Sequence, residues 1–154
     1  MKHSLLIVLT FMSIFMSSAS SCNKEDDKIN TENNTPMANC KIKIKINSQT
    51  FTATLLDNSS AKAFKELLPL TINMIELNGN EKYYDLSNSL PTNSSNPGTI
   101  KNGDLMLYGS KTLVLFYKTF STSYSYTKLG TIDDVTVLTT ALGSGNVTVT
   151  FELE

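Results

Sequence analysis

Between Lys41 and Ile46 the chain reads Lys-Ile-Lys-Ile-Lys-Ile, a strict alternation of charged and apolar residues. Side chains of an extended strand point to opposite faces in turn, so this run can only sit at the boundary between a core and water. A helix would scatter the three isoleucines around its circumference. Asn47-Ser48 then supplies a turn, and Phe51, Ala53 and Leu55 resume the alternation, which predicts a β-hairpin.

The pattern after the hairpin is a series of short elements. Asp57 to Ser60 offer N-cap side chains before Ala63, Phe64, Leu67 and Leu68, which share one helical face until Pro69 ends it. Strands are predicted at Leu70 to Glu76 and Glu81 to Leu86, joined by Asn78-Gly79-Asn80, whose Asn-Gly pair tolerates the positive φ of a tight hairpin. The Ser-, Asn- and Pro-rich stretch Ser87 to Gly98 reads as a long loop, a candidate rim or covering. Beyond the Asn102-Gly103 turn, strands are expected near Asp104 to Tyr108, Thr112 to Tyr117 and Phe120 to Leu129. Asp133 and Asp134 can cap a second short helix carrying Val135, Leu138, Ala141 and Leu142, with Gly143 at its end in the left-handed conformation. Val147, Val149 and Phe151 alternate in a last strand. The expected fold is mostly β, about eight strands with two short helices, and closure into a barrel would remove the exposed sheet edges.

Upstream of Lys41 the chain has a different character. Lys2 and His3 precede an apolar run from Leu5 to Met16 and small residues Ser17 to Ser21, the three parts of an export leader. The run is too short for a membrane span of about 20 residues. Ala19-Ser20-Ser21-Cys22 resembles a lipobox, in which a diacylglycerol thioether forms on the cysteine and cleavage makes it the new N-terminus. The alternative is a conventional secretory leader, cut near Ser18 to Ser21, that leaves Cys22 to pair with Cys40. With Cys22 lipidated, Cys40 reads as a small boundary residue, since nothing nearby would lower its pKa. Asn23-Lys24-Glu25-Asp26-Asp27 resembles the acidic signal that sends lipoproteins of some gut Gram-negative bacteria to the outer leaflet, and it reads equally as a solvated charge run. The organisation is therefore a leader at 1–21, a lipidated cysteine and tether at 22–40 with a reach on the order of 20–25 Å, and one domain at 41–154. The location implied is the outer membrane or cell surface.

Composition excludes whole classes of chemistry. The only histidine is His3 in the leader, and the sequence has neither arginine nor tryptophan. A mature chain from Cys22 therefore lacks Ser-His-Asp and Cys-His nucleophile systems, histidine-containing zinc sites and any guanidinium clamp. With Lys2 removed, twelve lysines face fourteen acids, and this near-neutral balance gives no reason to expect nucleic acid. No residue is identified as catalytic or metal-ligating, and no cofactor is implied. The acids Asp85, Asp104, Asp133 and Asp134 could form a carboxylate pair for acid–base work, but turn and cap roles explain them more simply. Asn78 to Glu81 lacks the spacing of a calcium loop, and Gly143-Ser144-Gly145 lacks a phosphate-binding context.

Taken together, Tyr83-Tyr84-Asp85-Leu86, Pro97-Gly98-Thr99-Ile100, Gly103 to Gly109, Val114-Leu115-Phe116-Tyr117, Ser123 to Thr127, Ile132-Asp133-Asp134 and Ala141-Leu142-Gly143 resemble the cyclophilin-like fold family of bacterial proteins. The resemblance covers essentially all of 41–154. It implies a closed, mostly antiparallel eight-stranded barrel with helices over its ends, and it carries no activity, because these bacterial domains are functionally undefined as a group. Cyclophilin prolyl isomerases use an arginine beside an apolar proline pocket, and a lysine cannot present the same planar fork of donors. The aromatic residues Phe116, Tyr117, Phe120, Tyr124 and Tyr126, with Tyr83, Tyr84, Met106 and Tyr108, read mainly as core and cross-strand packing. The stretch Phe120 to Tyr126 differs, because Ser and Thr separate its rings. Phe120, Tyr124, Tyr126 and Tyr84 are the candidate ligand-binding residues of a surface-anchored module for a peptide or small molecule. The competing expectations are a weak peptidyl-prolyl isomerase and a purely structural envelope protein.

Overall fold

The computed structural model describes residues 40–154. The leader, Cys22 and nearly all of the tether lie outside the described residues. Strands β1 (Cys40–Ile46) and β2 (Gln49–Leu55) form the predicted hairpin, with Asn47 at φ 52° in its turn. Alternation does what period two requires: Ile42, Ile44 and Ile46 are buried completely, while Lys41 and Lys45 reach water. Helix α1 (Ser59–Lys65) is capped by Asn58, whose side chain accepts a 2.8 Å bond from the Ala61 N–H, and it sends Ala61 and Phe64 into the core. The Phe64 ring meets Phe151 edge-on at 5.5 Å.

The remaining elements are β3 (Leu70–Leu77), β4 (Glu81–Asp85), β5 (Thr99–Ile100), β6 (Asp104–Tyr108), β7 (Thr112–Phe116), β8 (Phe120–Ser121), β9 (Thr127–Ile132), α2 (Leu138–Leu142) and β10 (Val147–Leu153). Eight strands close a barrel in the order β1-β10-β3-β4-β7-β6-β9-β2, with every pairing antiparallel. The seam between β2 and β9 depends on Gly130, where a Cβ would lie 2.5 Å from the Thr54 carbonyl oxygen. The expected mostly-β barrel with two short helices is the observed architecture.

Three expectations need correction. The predicted single strand from Phe120 to Leu129 is broken, because β8 leaves the barrel to pair with β5, and β9 begins only at Thr127. Asp133 and Asp134 do not cap α2. Asp133 is held by Lys41 at 2.6 Å and Thr54 at 2.7 Å, while Asp134 accepts from the Thr136 N–H and hydroxyl, a local turn that delays the helix to Leu138. Gly143 does end α2 at positive φ, but its ψ of −170° is extended rather than left-handed helical, a combination that glycine alone adopts readily.

The β5–β8 ribbon creates a second apolar cluster outside the barrel. On β6 and β7, Leu105, Leu107, Leu113 and Leu115 face inward, while Met106, Val114 and Phe116 face outward and pack with Ile100 and Tyr126. Both faces of this part of the sheet are therefore buried, which is why Leu105 to Leu107 and Leu113 to Tyr117 read as unbroken apolar runs.

Inside the barrel a charged pair breaks the apolar rule. Lys82 of β4 is completely buried, and its ammonium donates to Glu76 of β3 and to the carbonyl oxygens of Gly143 (2.9 Å) and Gly145 (2.6 Å). The same Glu76 oxygen accepts the Tyr117 hydroxyl at 2.8 Å. All three ammonium protons have acceptors, so the buried charge is saturated. The network ties the β3–β4 hairpin to the segment after α2.

Candidate functional site

Outward-facing side chains of β4, β7 and β6 form the floor of a groove of about 550 Å³. Tyr83 and Val114 line its centre, Leu77, Asn78 and Asn80 one end, and Asp85, Thr112 and Tyr108 the other side; residues 120–124 and Tyr126 build the wall. The volume falls within the range of sites that hold small ligands or short segments of chain.

The aromatic side chains form a linked series rather than isolated contacts. Phe120 packs on Phe116 at 5.8 Å, Phe116 meets Tyr126 edge-on at 5.5 Å, Tyr126 lies 5.6 Å from Tyr108, and Tyr108 meets Tyr124 edge-on at 6.1 Å. The anchored end is buried and the other end is open: Tyr126 is 9% exposed, Tyr108 45% and Tyr124 61%. Burial and the nearby Glu81 charge push the Tyr126 phenol above its ordinary pKa, so it stays neutral. Two tyrosine faces thus remain available on a rigid base.

The loop 87–98, expected to share the rim, instead supports the wall from behind. None of its residues lines the groove. Leu90 is buried in the barrel core, and Ser95 exchanges two 3.0 Å backbone bonds with Tyr126. Asn96 donates to the Ser123 carbonyl at 3.3 Å, and the Thr122 N–H donates to Gly98 at 3.0 Å. Because the segment 122–126 has left the barrel ladder, this loop supplies its missing backbone partners.

Of the four candidate ligand-binding residues, the structure brings Phe120, Tyr124 and Tyr126 together along the groove and leaves Tyr84 out. Tyr84 is on the opposite face of β4, packed against the barrel core, and Tyr83 occupies the groove instead. The phase was present in the sequence: Tyr84 shares parity with Leu86, which is buried, and Tyr83 with the outward Glu81 and Asp85.

Glu81 and Asp85 are the charged residues of the groove, and from sequence Glu81 enters only as the end of the Asn78 to Glu81 turn and the start of a strand. Partial burial, with repulsion from Glu76 through the sheet, raises the Glu81 pKa above the usual carboxylate value. Asp85 accepts a 2.6 Å bond from the Thr112 hydroxyl. Among the described residues no lysine forms an ion pair with either. The acids considered for catalysis each have their own partners: Asp104 is buried with Lys128 at 2.7 Å and the Lys101 N–H at 2.8 Å, Asp133 with Lys41 and Thr54, Asp134 with Thr136 and Asp85 with Thr112. Among the described residues no three His, Cys, Asp or Glu side chains gather to hold a metal ion.

Comparison with known proteins bears on the fold. The sequence model of the Cyclophilin-like family matches residues 44–152. The solution structure of hypothetical protein AF2241 from Archaeoglobus fulgidus superimposes with a TM-score of 0.58 at 14% identity, covering 75% of this chain and 95% of that one. No curated protein matches the chain.

Proposed function

This chain belongs to the cyclophilin-like family, and from that premise we propose that it is an exported, lipid-anchored binding module whose outer-face groove takes a peptide or small ligand without isomerase chemistry. The observation that carries the binding reading is the groove itself, where Tyr108 and Tyr124 are held open to solvent on an aromatic base. A domain with a purely structural role gains nothing from a concave, aromatic-walled face. The absence of arginine from the sequence weighs against the isomerase alternative, because no planar donor fork can stabilise a twisting prolyl amide. Export and anchoring rest on the leader and on Ala19-Ser20-Ser21-Cys22.

Amide NMR titration of the protein with a library of short peptides, proline-containing members included, tests the binding reading. Shifts should cluster at Tyr83, Tyr108 and residues 120–126, with prolyl isomerisation left at its uncatalysed rate. Catalysis well above that rate would make the isomerase reading the correct one, and shifts spread away from the groove would remove the binding site. For the anchor, the Cys22→Ser variant should move from the membrane fraction to the soluble fraction and lose the mass of a diacylglycerol thioether.

A further inference from the structure

The groove's charge is one-sided. Its charged lining residues, Glu81 and Asp85, are both acids, and no lysine lines it in a chain with thirteen. Elsewhere on the domain five acids have found a lysine: Asp133 with Lys41, Glu152 with Lys45, Asp57 with Lys62, Glu76 with Lys82 and Asp104 with Lys128. A carboxylate on a convex surface is compensated by water at little cost. Glu81 is half-buried in the groove and no lysine pairs with it.

Three further features narrow what would supply it. Glu81, Tyr83 and Asp85 occupy alternate positions on one face of β4, so the backbone separation of the two acids is about 13 Å at the strand rise of 3.3 Å per residue. The open faces of Tyr108 and Tyr124 favour cations, which are drawn to the negative face of an aromatic ring. Asn78, Ser121, Thr122 and Ser123 add amide and hydroxyl groups of the kind that hydrogen-bond a peptide backbone.

Resting on the groove as the binding site, we propose that its occupant is an extended basic peptide segment, with lysine or arginine side chains four residues apart meeting Glu81 and Asp85. In an extended ligand, residues i and i+4 lie on the same side and span the same distance as the two acids. The residue between them on that side lies over Tyr83. A polyamine could satisfy the charges but would leave the amide and hydroxyl rim unused.

The test is fluorescence anisotropy of three labelled, end-blocked pentapeptides on the purified protein: Lys-Ala-Ala-Ala-Lys, its norleucine analogue and its glutamate analogue, with spermidine as competitor. The lysine peptide should bind at least tenfold more tightly than the norleucine peptide, and the glutamate peptide more weakly than either. Glu81→Gln and Asp85→Asn should each cost the lysine peptide about three- to tenfold and leave the norleucine peptide unchanged, while Glu152→Gln, the same charge change outside the groove, should do neither. Equal binding of the lysine and norleucine peptides, or a lysine preference that survives both groove variants, would overturn the charge assignment and leave the groove standing. Spermidine displacing the lysine peptide at far lower concentration would overturn the peptide in favour of a small polyamine. Failure of all three peptides to bind would remove the groove reading and this inference with it.

Discussion

On β4, Lys82 points into the barrel while Glu81 and Asp85 point out, and the two sides of one strand treat charge in opposite ways. The inward lysine is completely buried, yet every donor it has is used by Glu76, Gly143 and Gly145. The outward acids are less buried, yet no described cation reaches either of them. A saturated charge is held by the fold and serves the fold. Asp85 is exposed and held by the Thr112 hydroxyl, whereas Glu81 is half-buried with no cation beside it, and a charge so placed in a concave aromatic face has its natural partner outside the molecule.

The sharpest break of this comparison is at Lys82. Replacing it by alanine leaves Glu76 without its cation and two carbonyl groups without their donor, and should lower stability by about 3–5 kcal/mol in urea unfolding. The double change Lys82→Met with Glu76→Gln should recover part of that loss, because the unpaired carboxylate goes with its partner. An undiminished stability in Lys82→Ala would mean that the inner network contributes nothing. On the outer side, Tyr124→Ala removes an open ring with 61% exposure. It should leave the melting temperature in place and weaken groove ligands about five- to tenfold, as loss of an aromatic contact residue does.

A smaller effect distinguishes the two glutamates by pH. Glu81 has a raised pKa in the folded state, so the stability linked to it is complete below about 4.5 and is lost as pH rises through the folded value. Glu81→Gln should therefore match or slightly exceed the parent in stability at pH 7. For Glu76, burial acts to raise the pKa, but hydrogen bonds from Lys82, Tyr117 and the Gly79 N–H outweigh it and hold the carboxyl below the usual value. Its contribution is present above the ordinary carboxylate pKa and is lost as pH falls through the lowered one. Tyr117, pushed up to about 12 by burial and then by Glu76, adds stability that is complete below its ordinary pKa of 10.0 and lost through about 12. The Tyr117→Phe variant should flatten that alkaline loss, measured as melting temperature against pH and compared with the parent.

The inner side of this picture was the more legible from sequence. Alternation of Ile42, Ile44 and Ile46 with lysine fixes which face of β1 is core, and the Asn-Gly turn at 78–79 sets the β3–β4 register. That register, followed through, places Glu76 opposite Lys82, but an inward ion pair stands against the local rule and is explained only by carbonyl groups 61 and 63 residues away. The wall of the groove was hidden for a different reason. Phe120 to Leu129 alternates rings with Ser and Thr as a strand would, and the short pairings that hold it off the barrel, β8 with β5 and Ser95 with Tyr126, are too brief to leave a pattern. Small polar residues separate Phe120, Tyr124 and Tyr126 in the sequence, which is why they stand apart from the other rings; in the fold Tyr126 is nonetheless buried in the outer apolar cluster and Phe120 packs against it. Tyr84 was grouped with them by aromatic type, although its parity with Leu86 assigns it inward.

Carboxyl-carbon NMR titration of Glu76 and Glu81 in one sample tests the contrast most directly. The account predicts that Glu76 titrates below the usual glutamate value and Glu81 above it, and that the Lys-Ala-Ala-Ala-Lys peptide lowers the Glu81 value while leaving Glu76 in place. Two glutamates titrating together near the ordinary value, with or without peptide, would contradict it.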